Sequence, residues 1–482
     1  MMASLEATGE FRISNPEGST REQIAKDAPQ FQDFAEKYPE LPIYTPSSES
    51  YVIVRPFYNG AATKQPLAIL RPRTDAEVAA VVKEAKAQNL PFGIRAGGHD
   101  LSFTQNQGKD GIMIDLRALD SAVVAEDRKS VRVGGGIIGL ALSKFLHEHK
   151  LLTPHGWCSG VGIAGWAMGG GYGYSSAFYG LGVDQILGAR LVLASGEVVD
   201  TDQHPNGKEL LWALRGAGNG NFGIVVELRL KVYPETACLG GLVGFPNSET
   251  GQVLNKFSEM EKDLPINTAA EITHMAMPGV GPVLSFFLVW TPTDGNLDEG
   301  WEFHRKIKSL GTVLLDTVAE TTDYGFFSSF PNPSGTHYYP RVCTIEYMTP
   351  EINNIIAANP PPGPWCANVI HSAHGRVLEP NPEACYPLRK RHRIFNPNAG
   401  VQDAQGETTE FEGYKEWNDG LIAKLKEKGL TLPYGYRNLS PGSDIDWVAT
   451  YGEETLERLK GVKNKFDPEN VFRTGYPRLE LL

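Results

Sequence analysis

The chain has 482 residues, 41% of them hydrophobic and 21% charged, with 57 acidic against 45 basic side chains and a net charge of −12. Such a length admits two to three domains and a core large enough to hold a deep ligand pocket. The acidic balance, with no basic stripe, speaks against nucleic acid and anionic membrane as partners.

The first stretch, MMASLEATGEFRISNPEGST, holds no apolar core of signal-peptide length, and no segment reaches the ~20 apolar residues of a membrane span. The expectation is a soluble, cytoplasmic protein. Residues 1–44 are polar and read as an N-terminal arm, partly helical, laid over the surface. LAIL at 67–70 reads as a buried strand. Thr74-Asp-Ala-Glu77 then has the S/T-x-x-E form of a capping box and opens an apolar helical period at Val78, Val81, Val82 and Ala85. PFGIRAGG is a strand running into a loop, strands follow at 112–116 and 130–133, and a helix at 137–149. ARLVLASGEVVD (189–200) reads as a hairpin turning at Ser195-Gly196, KELLWALRG as a helix stopped by glycine, and GIVVELRLKVY as a long strand. From about 240 the pattern changes to apolar or alternating strands (PVLSFFLVW, RVCTIEYM, ANVIHSAHGRV) between amphipathic helices such as 407–428. A helix at 453–465 precedes FDPENVFRTGYPRL. These patterns predict an α+β domain at 45–237, an antiparallel-rich domain at 238–440, and a return to the first at 441–482.

Five scattered cysteines (Cys158, Cys238, Cys343, Cys366, Cys385) contain no C-x-x-C pair, so neither a disulfide framework nor a zinc site is expected, and no metal. The densest chemistry lies at 155–173, HGWCSGVGIAGWAMGGGYG, where eight of nineteen residues are glycine. Glycine costs roughly 0.5–1 kcal/mol against alanine in a regular element, so the run calls for backbone that other residues cannot adopt or for a ligand lying against it. G-x-G-x-x-G occurs at Gly160/Gly162/Gly165 and again at Gly218/Gly220/Gly223. A dinucleotide fingerprint follows a strand and opens a helix. The second match has that order reversed, and strand breakers Pro154 and Gly156 precede the first. RAGGHD (95–100) is a second glycine loop, with His99 at its end. Taken singly, His99 reads equally as a satisfied loop histidine and Cys158 as an inert thiol.

Together, RAGGHD, HGWCSGVGIAGWAMGGGYG, ELLWALRGAGNGNFGIV and the C-terminal FDPENVFR resemble the berberine-bridge-enzyme-like group of the vanillyl-alcohol-oxidase superfamily, over roughly 65–235 and 432–475. GRVLEPNPEACYPLRKR is a looser match within 240–430. The resemblance implies an α+β, two-lobed flavoprotein, with a PCMH-type FAD-binding domain and an antiparallel-sheet substrate domain. It implies FAD bonded covalently through His99 at the 8α-methyl and Cys158 at C6; imidazole and thiolate are suitable nucleophiles toward an electron-poor ring. It further places the cofactor against Arg95, Ala96, Gly97, Gly98, Asp100 and Leu101 in the first loop. In the second loop it does so for Gly156, Ser159, Val161, Gly162, Gly165, Gly170, Gly171, Tyr172 and Gly173. Gly223, Ile224, Val225, Asn438 and Asn470 complete the set. Valine at 161 implies a dioxygen path, hence an oxidase rather than a dehydrogenase.

One departure stands out. Relatives carry Y-x-N-Y, whose second Tyr acts as base; here the segment is Tyr436-Arg437-Asn438-Leu439. The catalytic candidates are therefore Tyr436 with His371 or His374, and more weakly His337, Glu346 and Tyr347. His371 and His374 are three apart, so on a strand they face opposite sides. His155 and Trp157 are expected to border the flavin, and Trp166 and Met168 to pack beneath it. The reaction expected is hydride transfer from a bulky alcohol or amine, a secondary metabolite, to flavin N5, with O2 reduced to H2O2 by a monomer or homodimer. The alternatives are a dehydrogenase or carbohydrate oxidase of the same family, and a flavin-binding protein without turnover.

Overall fold

The computed structural model describes residues 15–101, 103–277, 279–329, 335–402 and 408–480. The first fourteen residues of the expected arm lie outside them. The rest of that arm is no surface strap. Its strand Ile43–Tyr44 pairs antiparallel with Ala68–Leu70, and Ile24, Phe31 and Phe34 are buried in one core with Val78, Val81 and Phe92. Apolar side chains spaced through a polar segment supply that burial, at about 25 cal/mol per Å² of apolar surface.

The first sheet runs Ile43–Tyr44, Ala68–Leu70, Ile112–Asp115, Phe92–Arg95, with Ile112–Asp115 parallel to both neighbours. The helix Asp75–Ala87 connects two of these strands and buries Val78, Val81, Val82 and Ala85. Thr74 caps it by accepting from the Glu77 N–H. The Glu77 carboxylate turns to the Arg73 N–H, so only half of the expected capping box forms. A second sheet, antiparallel, orders Ala122–Val124, Ser130–Gly134, Ile224–Lys231, Ile186–Val192 and Val198–Asp200. Ile186–Val192 and Val198–Asp200 form the predicted hairpin, with Gly196 at a left-handed φ of 78°. The C-terminal helix Glu453–Phe466 adds Leu456, Leu459 and Val462 to the core that holds Trp166, Met168 and Trp212.

Residues 238–402 build a nine-stranded sheet whose long central strands, Cys238–Pro246, Gly281–Trp290, Thr268–Met277, Ala367–Ala373 and His392–Gln402, are all antiparallel. Strand alternation gives this sheet two faces. Leu284, Phe286, Leu288, Ile272, Ile370 and Phe395 enter a core with Val253, Phe257, Ile352 and Leu425. The opposite face carries Phe287, whose ring meets Trp157 at 5.7 Å, and Val289, which is buried with Leu140 and Tyr174. That face therefore looks onto the glycine loops. Among the described residues no helix is long and apolar enough to cross a membrane.

Candidate active site

The two glycine loops meet backbone to backbone. A Cβ on Gly97 would lie 2.2 Å from the Gly162 nitrogen and 2.5 Å from the Gly160 oxygen. Gly98 turns through φ 83°, a conformation open to glycine at little cost. This delivers His99 against Tyr58, ring on ring at 4.1 Å and 17°, and Tyr58 stacks in turn on Tyr338 at 5.5 Å. Burial pulls the His99 imidazole down to about 3, so it is neutral at ordinary pH. The Asp100 carboxylate holds the Thr104 N–H and hydroxyl and stands 3.5 Å from Arg437. Arg95, expected at the cofactor, points the other way. Its buried guanidinium binds Asp115 at 2.6 Å and donates to the carbonyls of Val54, Arg55 and Pro56.

The Cys158 loop is tied to the start of the helix Gly139–Glu148. Gly139 and Leu140 N–H donate to the Val161 and Ser159 carbonyls at 2.9 and 3.0 Å, and Ile163 N–H donates to Ile137 at 3.0 Å. The Cys158 side chain is exposed, yet the protein packed around its loop desolvates the thiol and pushes it up to about 11. Tyr58, stacked on His99, is raised well above its ordinary value by burial and by the negative charge that Cys158 carries when ionised.

Further along the run, Gly170 and Gly171 adopt φ 122° and 84°, and Gly173 has the His155 carbonyl 1.8 Å from where a Cβ would stand. Gly165 differs, with nothing within 4 Å of its Cβ position. Tyr436 and Asn438 hold this stretch in place. The Tyr436 hydroxyl accepts from the N–H groups of Gly171 (3.2 Å) and Tyr172 (3.1 Å) and from Asn438 (3.0 Å), and Asn438 also donates to the Trp166 carbonyl at 2.9 Å. At 3% exposure, Tyr436 anchors the loop rather than facing the cleft as a proton acceptor. Tyr172 donates to His392 Nε2 at 2.7 Å, while His392 Nδ1 donates to the Lys390 carbonyl at 2.6 Å. Burial keeps His392 neutral, near 4. Ile224 and Val225 are core side chains of a central strand, which leaves only their main chain for a cofactor.

The opposite wall is the outer face of the nine-stranded sheet. Glu271 and His371 sit there on adjacent strands, with Oε2 and Nδ1 2.9 Å apart. Both are nearly buried, and the close approach is not a formed hydrogen bond: His371 Nδ1 and Glu271 Oε2 both lack a hydrogen-bond partner. Thr273 Oγ1 and Asn396 Oδ1 on the same face are buried without a hydrogen bond. His374 falls on the helix side instead, bonded to Ser372 Oγ at 2.9 Å and the Pro265 carbonyl at 3.3 Å. Of the weaker candidates, Glu346 is exposed, Tyr347 lies under Arg391, and His337 packs on the turn at Gly60. His155, expected beside the flavin, turns toward Asp323.

The features fit a large planar cofactor with polar edges. Two nucleophilic side chains lie on loops too close for side chains, Gly165 leaves open space, and buried polar atoms on the facing wall lack partners. A surface hollow of about 410 Å³ beside Asp75 lies away from these loops, and there Arg190 is already paired with Asp75 and Glu227. No cluster of metal-ligating side chains occurs among the described residues. Tyr58, Glu271, Asp323, Tyr338 and His392 escape the sequence reading. Only Glu271 leaves a trace there, as a lone acid in the apolar strand TAAEITHMAM.

Comparison with known proteins agrees with this geometry. Residues 66–202 match the family model described as an FAD binding domain, and 424–475 match the one described as berberine and berberine like. An FAD-linked oxidoreductase (aurO) of Gibberella zeae is 34% identical over 450 residues, 92% of this chain and 86% of that protein. A chitooligosaccharide oxidase of the same organism is 32% identical, over 90% of this chain and 91% of its own length. The crystal structure of 6-hydroxy-D-nicotine oxidase from Arthrobacter nicotinovorans superposes with a TM-score of 0.80 at 25% identity, over 91% of this chain and 98% of that one. With its PCMH-type FAD-binding domain and antiparallel sheet, this chain belongs to the berberine-bridge-enzyme-like FAD-linked oxidoreductases of the vanillyl-alcohol-oxidase superfamily.

Proposed function

We propose that the chain is an FAD-dependent oxidase, bonded to its flavin through both His99 and Cys158, that takes a hydride from a bulky alcohol or amine of secondary metabolism and passes the electrons to O2. The observation that carries the reading is the contact of the two glycine loops at Gly97 and Gly162, which puts a neutral imidazole and a thiol at one cleft. Bound FAD supplies the two-electron acceptor. Each attachment bond would form with loss of one proton from the protein group and one from the ring or methyl carbon, the two electrons released passing to dioxygen to give H2O2. Cys158, a thiol at neutral pH because the protein around its loop raises its pKa, would give up its proton before its sulfur bonds.

His371 is the group we assign to accept the substrate's O–H or N–H proton, with the Glu271 carboxylate 2.9 Å from its Nδ1 on the adjacent strand. Tyr58, Tyr338, Trp157 and Phe287 give the cleft aromatic walls, which suit a planar apolar substrate. Val161, three residues past Cys158 and partly buried against the core, is the residue we assign to the dioxygen path.

Acid precipitation tests attachment, since yellow colour must stay with the protein. A peroxide assay over aromatic alcohols, cyclic amines and oligosaccharides tests the substrate class. Release confined to oligosaccharides would replace the metabolite reading with a carbohydrate oxidase, in keeping with the chitooligosaccharide oxidase likeness. Full reduction by substrate with slow reoxidation in air would make the enzyme a dehydrogenase.

A further inference from the structure

We propose that two neighbouring pieces of the second half of the chain, the helix Asp323–Ser328 and the strand Thr336–Pro340, brace the two attachment residues separately, with Asp323 as the positioning residue for Cys158 and Tyr338 for His99. The inference rests on the two-bond reading above and adds residues to it that touch neither bond.

Asp323 is buried, and three groups converge on its carboxylate: His155 Nε2 at 3.0 Å, the Tyr174 hydroxyl at 2.9 Å and Ser143 Oγ at 3.2 Å. His155 precedes Cys158 by three residues, Tyr174 closes the same glycine run, and Ser143 lies on the helix to which the Cys158 loop is hydrogen-bonded. The other nitrogen of His155, Nδ1, faces the Gly156 carbonyl at 3.0 Å. With an acceptor at each nitrogen, the ring is held as the imidazolium. Burial acts to lower its pKa, but Asp323 and the carbonyl outweigh that and leave it raised. Apolar contacts repeat the polar ones. Phe327 lies 3.9 Å from the His155 ring and Phe326 meets Tyr174 edge-on at 5.2 Å. Trp157, adjacent to Cys158, packs against Tyr174 at 5.2 Å and Phe326 at 6.4 Å. On the other side, Tyr338 reaches His99 only through Tyr58.

A buried ion pair with all its partners in place fixes geometry more than it adds stability, and removing one member strands the other. Asp323→Asn keeps the shape but leaves His155 without its counter-charge, so the error falls on the peptide units leading into Cys158. Nothing in that contact set touches His99. The two attachments should therefore fail independently.

The test purifies holoenzyme as wild type, Asp323→Asn, Ser143→Ala and Tyr338→Leu, and reads acid-stable flavin, maleimide mass-tagging of Cys158 after denaturation, and the visible spectrum. In Asp323→Asn, acid-stable flavin should remain while a fraction of Cys158, blocked in the wild type, becomes taggable. Ser143→Ala, a milder loss that preserves the ion pair, should show a smaller fraction. Tyr338→Leu should leave Cys158 blocked and the flavin acid-stable through it, while peptide mass mapping finds a fraction of His99 unmodified. Cys158 fully blocked in Asp323→Asn, or both attachments falling together in every variant, would overturn the brace. If Cys158 of the wild type is itself taggable, the two-bond reading fails. The brace is then judged on alkylation of the folded protein, which Asp323→Asn must accelerate if it holds.

Discussion

Gly97 and Gly162 lie so close that a side-chain carbon on the first would fall 2.2 Å from the amide nitrogen of the second, and one on the second 2.4 Å from that of the first. Neither position needs an unusual φ. What excludes a side chain is the other loop. The His99 and Cys158 loops are therefore one joint, and their spacing follows from main-chain contact.

Gly97→Ala should consequently disturb both attachment residues at once. Backbone has no cheap way to yield, so the loss of stability should reach or exceed the ~1–3 kcal/mol of a typical overpacked core. Thermal melting and acid-stable flavin should fall together. Gly165→Ala, with open space at its Cβ position, should leave melting unchanged and weaken only cofactor retention.

Formation of the Cys158 bond should be limited by the scarcity of thiolate. The protein packed around its loop pushes this thiol up to about 11, so below that value the reactive fraction grows about tenfold per pH unit. Reconstituting apoprotein with FAD from pH 6 to 9 and following loss of the free thiol should show that slope. A flat profile would mean that another group already takes the proton.

Substitution of His371 should act on turnover and substitution of Tyr436 on stability. His371→Ala should lower kcat by ~10²–10⁴-fold, the range for loss of a general base, with Glu271→Gln losing less. Tyr436→Phe should leave kcat near wild type in the folded fraction but cost about 1–3 kcal/mol, because the Gly171 and Tyr172 N–H groups lose a buried acceptor. If Tyr436→Phe abolishes turnover at wild-type stability, the roles assigned to the two residues are reversed.

The Asp323–His155 pair should leave a mark on stability against pH. The imidazolium has a raised pKa in the fold, so its contribution is complete below its unfolded value near 6.5 and is lost as pH rises through the folded one. For Asp323, burial raises the pKa but His155 and the hydroxyls lower it further. Its contribution is present above the unfolded value near 3.8 and disappears as pH falls through the folded one. The pair therefore helps most between those two unfolded values. In Asp323→Asn, His155 keeps its burial, the larger influence and one that favours the neutral ring, against the Gly156 carbonyl alone, so stability should rise from pH 6 to 8 where the wild type falls. Urea midpoints across that interval decide the sign.

The local elements were legible because their causes are local. The period at Val78, Val81, Val82 and Ala85 made a helix, the Ser195-Gly196 turn made a hairpin, and the two glycine loops carried the family resemblance that implied FAD. Residues 15–44 were misread because Ile24, Phe31 and Phe34 are too sparse in a polar background to announce a core contact. Arg95 was assigned to the cofactor by its place in the motif, and it serves the buried Asp115 instead. Alternation correctly separated His371 from His374, but it did not say which of them faced the cleft.

Sequence alone thus determined the fold class, the cofactor family and the two loops that carry His99 and Cys158, since each depends on residues close together in the chain. Tertiary structure decided the facing wall. Glu271 meets His371 across two strands, Tyr338 reaches His99 through Tyr58, and Asp323 meets His155 from 168 residues away. Which sheet face turns toward the glycine loops is set by where the other face buries Phe286, Ile370 and Phe395. That packing is a property of the assembled core, and no single stretch of chain encodes it.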